Sequence, residues 1–212
     1  MTGMAAAQTS PAAEPEPGPR LGLRERKKIQ TRQAIRRAAY RLFAEHGYDA
    51  TPVDRIAEAA DVSPSTVFRY FPTKEDIVLT DEYDPLVAAA ILARPADEPP
   101  VEAIRQGLLT AMRQILDTDL DEFRQRMRLV REVPALRGRS AEGMAQSAEP
   151  LCRVLAERAG RPAADLEMRV ATAAILGAMQ ETMMYWVDRG QTDDPLALME
   201  RGLHVLGRGL VL

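Results

Sequence analysis

With one cysteine, Cys152, the sequence can close no disulfide of its own and cannot build a zinc site from several thiolates. Its two histidines, His46 and His204, have no companions at metal-ligand or catalytic-triad spacing, and neither GxxxxGK[ST] nor GxGxxG occurs. No enzymatic role, metal or cofactor is therefore expected; a helical enzyme or redox sensor using Cys152 is the remote alternative. Aromatic residues make up only 5% of the chain, and blocks of Val, Ile, Thr and Tyr are missing, which leaves little material for strands. No window approaches about 18 uninterrupted apolar residues, so no membrane span is expected. A charged segment followed by an apolar one is also missing, which argues against a secretion signal and for a cytoplasmic protein. Asparagine is absent, and lysine is rare, three against 25 arginines.

What is present favours helices. Hydrophobic residues are 46% and charged residues 28%, a globular balance rich in Ala and Leu. The net charge of −3 conceals a split: residues 20–80 sum to +4 and residues 81–212 to −5. Residues 20–41 alone hold nine basic groups and one acid, Glu25, an asymmetry that suits a polyanionic partner, although a solvated basic helix face would look the same. Residues 1–19 are Ala, Pro, Gly and Glu with almost no large apolar side chain, and read as a disordered tail.

The period of Ile35, Ala38, Ala39, Leu42 and Phe43 predicts a helix from Leu23 to Glu45, stopped by Gly47. Thr51 is expected to cap a short helix begun by Pro52, and Ser63 a second one begun by Pro64 and running to about Tyr70. Thr73 would cap a fourth helix, continuing towards Ala93 with a break at Pro85. Longer helices follow at about 101–116, 120–133, 134–159, 162–188 and 195–210, with less order near Gly138 and Gly143.

The stretch VSPSTVFRYF, Val62 to Phe71, divides into two faces at 100° per residue. Val67 and Phe71 form an inward i, i+4 pair; Ser65, Thr66, Phe68 and Arg69 point outward. A short helix with a hydroxyl, guanidinium and aromatic face, held by a preceding helix across a tight turn, has the geometry of a helix-turn-helix unit whose second helix enters the major groove. Arg69 suits a guanine edge or a phosphate, Ser65 and Thr66 suit phosphates or base edges, and Phe68 suits a thymine methyl. Thr51, Ser63, Tyr70 and Lys74 would contact backbone phosphates, and Arg24, Arg26, Lys27 and Lys28 would follow the duplex or its minor groove.

Thr31 to Leu79 resembles the DNA-binding domain of TetR-family transcriptional regulators, through LFAEHGYDAT, IAEAADVS and FRYFPTKED taken together. The resemblance implies an all-α protein with a helix-turn-helix domain at 20–72 and a helical-bundle domain for effector binding and dimerisation at 73–212. It also implies that SPSTVFRYF is the recognition helix, with Tyr70 and Lys74 on phosphates. Many members have glycine at the position of Asp61, lysine-glycine at Pro64 and Ser65, and tyrosine or histidine at Arg69.

Within the second half, residues 162–189 and 195–210 correspond to the family's dimer helices. Ala171, Ala174, Gly177 and Ala178 suit close helix approach, and Ile175, Met179, Leu198, Leu203 and Leu206 would supply apolar area. A homodimer implies a palindromic operator on double-stranded DNA. This half is also similar to the mycofactocin-regulator subgroup, whose best-known member responds to long acyl-CoA esters. An acyl-CoA, a hydrophobic metabolite or an antibiotic is the effector so implied, with Met112, Phe123, Met127, Cys152, Met179, Gln180, Met183 and Trp186 as candidate lining and Arg126 or Arg128 for an acidic group. The same residues also suit a plain core, and a DNA-binding regulator without a small-molecule effector stays open.

Overall fold

The computed structural model describes residues 22–80 and 83–210; the expected tail at 1–19 lies outside them. Among the described residues all regular structure is helical: α1 Leu23–His46, α2 Val53–Ala59, α3 Pro64–Tyr70, α4 Lys74–Leu79, α5 Tyr83–Leu92, α6 Pro100–Glu132, α7 Pro134–Ala159, α8 Leu166–Asp188 and α9 Pro195–Gly207.

Helix α1 buries the whole predicted stripe and ends at Gly47, whose φ of 84° suits a residue without a side chain and whose N–H reaches the Phe43 carbonyl. Thr51 does not cap α2. Pro52 is the N-cap residue, while the Thr51 hydroxyl turns back to the Gly47 carbonyl at 2.8 Å and the Leu42 carbonyl at 3.3 Å, at the C-terminal end of α1. Between α2 and α3, Asp61 takes φ 53°, a left-handed conformation that Asp tolerates at some cost and that glycine takes without strain. Ser63 caps α3 by accepting the Thr66 N–H, with Pro64 at the first helical position. A capping box of Thr73 and Asp76 starts α4. The chain breaks after Leu79, not at Pro85, which lies in the first turn of α5.

Two predicted helices join as the 33-residue α6, bent where Asp119 leaves helical geometry and its carboxylate accepts the Glu122 N–H, capping the second half. Helix α7 runs unbroken through Gly138 and Gly143 and stops at left-handed Gly160. Helix α8 starts at Leu166, four residues later than expected, and α9 stops at Gly207.

Two apolar clusters form. The first joins Ile35, Ala39, Phe43, Ile56, Val67 and Phe71 to Ile77 and Val78 of α4, and to Leu129, Val130 and Leu136 from α6 and α7. The expected boundary at residue 72 therefore falls inside this core. The second gathers Ile91, Leu108, Met112, Phe123, Leu155, Met183, Trp186, Met199 and Leu203. Helix α5 lies so close to α6 that a Cβ on Gly107 would sit 2.6 Å from Ile91 Cγ1 and 2.8 Å from its Cα. The Arg158 guanidinium closes the α5 end from α7, donating to the Arg94 carbonyl at 3.2 Å and also to that of Pro95.

Candidate nucleic-acid interface

Burial orients α3. Val67 and Phe71 are fully buried, which leaves Ser65, Phe68 and Arg69 outward, with Phe68 49% exposed despite being a large apolar side chain. Ser63 Oγ lies 2.9 Å from both Ser65 Oγ and Thr66 Oγ1, so the three hydroxyls form one hydrogen-bonded group around the cap. The Arg69 guanidinium rests 5.2 Å from the centroid of the half-buried Tyr70 ring, an arrangement that orients both side chains.

Lys74 is held by the protein itself. Its Nζ donates to the Tyr48 carbonyl at 2.7 Å and the Thr51 carbonyl at 3.1 Å, above the Tyr48 ring, so two of its three protons are spent and one remains for a phosphate oxygen. Thr51 does not fit its assigned role: its side chain is buried and its hydroxyl proton is directed at α1 carbonyls. Arg24, Arg26, Lys27 and Lys28 occupy the exposed first turns of α1.

Sequence reasoning missed three arginines around this unit. Arg32 and Arg36 lie over the buried Phe71 ring, at 5.0 and 5.9 Å from its centroid, joining α1 to the end of α3. Their i, i+4 spacing beside the apolar stripe was a signal available for this. The third, Arg139 on α7, contacts Thr73 and Asp76 across more than 60 residues, and no local pattern marks it.

In the second half, Met112, Phe123, Met183 and Trp186 come together in the second core, with Met127 and Met179 packed against it. The Phe123 and Trp186 rings are 6.0 Å apart, and the Trp186 indole N–H donates to the Asp193 carbonyl. Two candidates lie elsewhere: Gln180 is exposed on α8, and Cys152 is buried on α7 with its thiol 3.4 Å from the Ala163 carbonyl. Arg126 is turned to the Leu79 carbonyl at the end of α4, and Arg128 is exposed. An open hollow of about 250 Å³ lies between α1 and the α6 bend, lined by Arg37, Tyr40, Arg41, Asp119, Asp121, Glu122 and Gln125.

Of the residues expected at a dimer interface, Ala174 and Gly177 are exposed, whereas Leu198 and Leu203 are buried within the second core and offer no area outside. The outward apolar face of α8 is made by Leu166 (72% exposed), Val170 (57%) and Tyr185 (45%). No group of His, Cys, Asp and Glu able to hold a metal ion occurs among the described residues, and no helix there is long and apolar enough to cross a membrane.

Residues 35–80 match the family described as bacterial regulatory proteins, tetR family, and residues 98–211 match the MftR C-terminal domain. The chain belongs to the TetR family of transcriptional regulators. Among TetR-family relatives, the regulator TcmR of Streptomyces glaucescens is 32% identical over 180 residues, covering 81% of this chain and 80% of TcmR. MftR of Mycobacterium tuberculosis, a regulator named for mycofactocin biosynthesis, is 28% identical over 190 residues, covering 87% of this chain and 93% of its own. The structure of the TetR-family repressor FadR from Thermus thermophilus, in complex with lauroyl-CoA, superposes with a TM-score of 0.54 at 24% identity, covering 85% of this chain and 95% of FadR. These relatives are regulators and not enzymes.

Proposed function

We propose that this TetR-family regulator is a homodimeric repressor that binds a palindromic operator and is released by a hydrophobic or amphipathic effector. The observation that carries the DNA-binding role is the α3 face: Ser65, Phe68 and Arg69 stand outward on a helix anchored by fully buried Val67 and Phe71. The exposed apolar face of α8 supports pairing of two copies, which would present two α3 helices to half-sites about one helical turn apart. In this reading residues 22–80 form the reading head and residues 83–210 the dimerising and effector-binding body. The effector prefers a conformation of the body in which α4 shifts and the spacing of the heads changes; differential affinity for the two states is sufficient for relief.

Selection from a random duplex library by the wild-type protein yields the operator. On that duplex Arg69→Ala should cost about 1–3 kcal/mol and relax preference at one base position. Retention of full base preference by the variant would remove Arg69 from base reading.

The close packing of Met112, Phe123, Met183 and Trp186 favours a second reading, a regulator without a small-molecule effector. Lauroyl-CoA separates the two. At 100 times its dissociation constant it should stabilise the protein by about 2.7 kcal/mol and release the operator. No shift with this or a panel of other acyl-CoAs and hydrophobic antibiotics would favour the second reading.

A further inference from the structure

Helix α4 is only six residues long and is gripped at both ends by arginines from other helices. At its C-terminal end, Arg36 of α1 donates to the Thr80 carbonyl at 2.6 Å and Arg126 of α6 to the Leu79 carbonyl at 3.2 Å. Its N-terminal end is held from α7. Arg139 Nη1 donates to Thr73 Oγ1 at 2.8 Å, and Nη2 to Asp76 Oδ1 at 3.1 Å. The capping box explains why those atoms are free to accept: Asp76 Oδ2 already takes the Thr73 N–H at 2.9 Å, which leaves Oδ1 for the guanidinium. A fork across a helix cap restrains the start of the helix in position and in direction, which a single point charge cannot do.

The same guanidinium lies 3.9 Å from Glu75 Oε2. The other Glu75 oxygen accepts the Tyr48 hydroxyl at 3.0 Å, and the Tyr48 ring and carbonyl support the Lys74 ammonium. Arg139, Glu75, Tyr48 and Lys74 thus form one connected chain from α7 to the candidate phosphate contact. Without Arg139, the carboxylates of Glu75 and Asp76 would outweigh the single ammonium of Lys74 in the first turn of α4, a net negative charge near the position a DNA backbone would take.

Helix α7 is well placed to act through this contact. It packs against α4 more extensively than α1 or α6 does. Its Leu136, one turn before Arg139 and so on the same face, is fully buried in the first core, while Leu151 and Leu155 of the same helix lie in the second. One helix therefore joins the body to the DNA-facing end of α4.

We propose that Arg139 is a positioning residue for DNA binding, fixing the start of α4 from α7 and, together with Lys74, balancing the charges of Glu75 and Asp76. The inference rests on the DNA-binding reading given above. When α7 moves with the body, the fork is withdrawn and operator affinity falls, although Arg139 itself touches no DNA.

The test uses the duplex selected by the wild-type protein, with dissociation constants and thermal midpoints for Arg139→Ala, Arg139→Lys, Glu75→Gln and the double variant Arg139→Ala/Glu75→Gln. Arg139→Ala should bind about ten-fold more weakly, a change worth about 1.4 kcal/mol, and the loss should grow at low salt, where charges are screened less. Arg139→Lys should keep part of the affinity. The double variant should regain part of it, because removing the Glu75 charge removes one of the two carboxylates that Arg139 offset. Wild-type affinity in Arg139→Ala overturns the inference, and so does a loss that follows the thermal midpoint and is not rescued by Glu75→Gln. A wild-type protein that selects no duplex overturns the DNA-binding reading, and this inference with it.

Discussion

Helices α3 and α4, near the front of the chain, both begin with a side-chain cap, from Ser63 and from the Thr73–Asp76 pair; α6, α7 and α8, behind them, begin without one. The long helices are fixed instead by contacts distant in sequence. Gly107 admits the Ile91 backbone, Gly202 admits Thr182, and Arg158 of α7 closes the end of α5. A short helix gains little from its own length and depends on its ends, whereas a long amphipathic helix is held by the face it buries. The starts of α3 and α4 are thus set by caps within a few residues, whereas the packing of the long helices rests on partners farther along the chain.

The largest expected effects test whether the two regions also unfold separately. Phe71→Ala and Trp186→Ala each empty a fully buried ring site and should each cost about 3–5 kcal/mol in denaturant unfolding. Because Leu129, Val130 and Leu136 join the first core to α6 and α7, Phe71→Ala should shift one cooperative transition. A separate early transition confined to the front would mean that the shared core is too weak to couple the regions.

A smaller effect probes the long-range contacts. Gly107→Ala places a methyl against Ile91 backbone atoms, which cannot rotate away, and should cost about 1–3 kcal/mol; a neutral result would show that α5 is free to shift.

The smallest effect distinguishes the two carboxylates that join the front to the rear. Burial pushes Glu75 up, but hydrogen bonds from its own backbone, Tyr48 and Thr73, with Arg139 beside it, outweigh this and hold it below the ordinary value of 4.5. Burial also pushes Glu122 up, and there Arg36, at 3.7 Å, does not compensate, so it titrates above 4.5. A depressed carboxyl contributes stability above its unfolded pKa and loses it as pH falls; a raised one contributes stability below that value and loses it as pH rises. Glu75→Gln should therefore flatten the decline of the thermal midpoint on the acid side. Glu122→Gln should gain on wild type as pH climbs from 4.5 towards neutrality. Identical pH profiles for the two variants would contradict these assignments.

Much of the front was legible in the sequence because its signals are local. Ser63 before Pro64, Thr73 before Asp76 and Gly47 after the α1 stripe each act within four residues of themselves. Thr51 was misread because a threonine before Pro52 has the form of a cap, while the competing acceptors, the carbonyls of Leu42 and Gly47, belong to the preceding helix. The α4 break was misplaced for a related reason. Proline is tolerated in the first turn of a helix, so Pro85 marks a start and not a stop. In the body, Leu198 and Leu203 looked equally suited to a core and to a dimer face, since helical period gives a side and not the partner on that side. The clustering of Met112, Phe123, Met183 and Trp186 from three stretches of chain was partly anticipated from their chemistry, whereas Arg139 carries no signal short of the folded structure.

The presence of Leu129, Val130 and Leu136 in the first core bears on how readily this reading head could be exchanged among relatives. A graft joined at residue 72 would leave behind Ile77 and Val78, and one joined at residue 80 would still part the head from the α6 and α7 side chains that close it. The unit that can be transplanted intact is discontinuous: residues 23–80 together with the segment around 129–139, which brings Arg139 as well. Heads moved with that second segment should keep their fold in a foreign body, and heads moved without it should inherit whatever surface the new body presents.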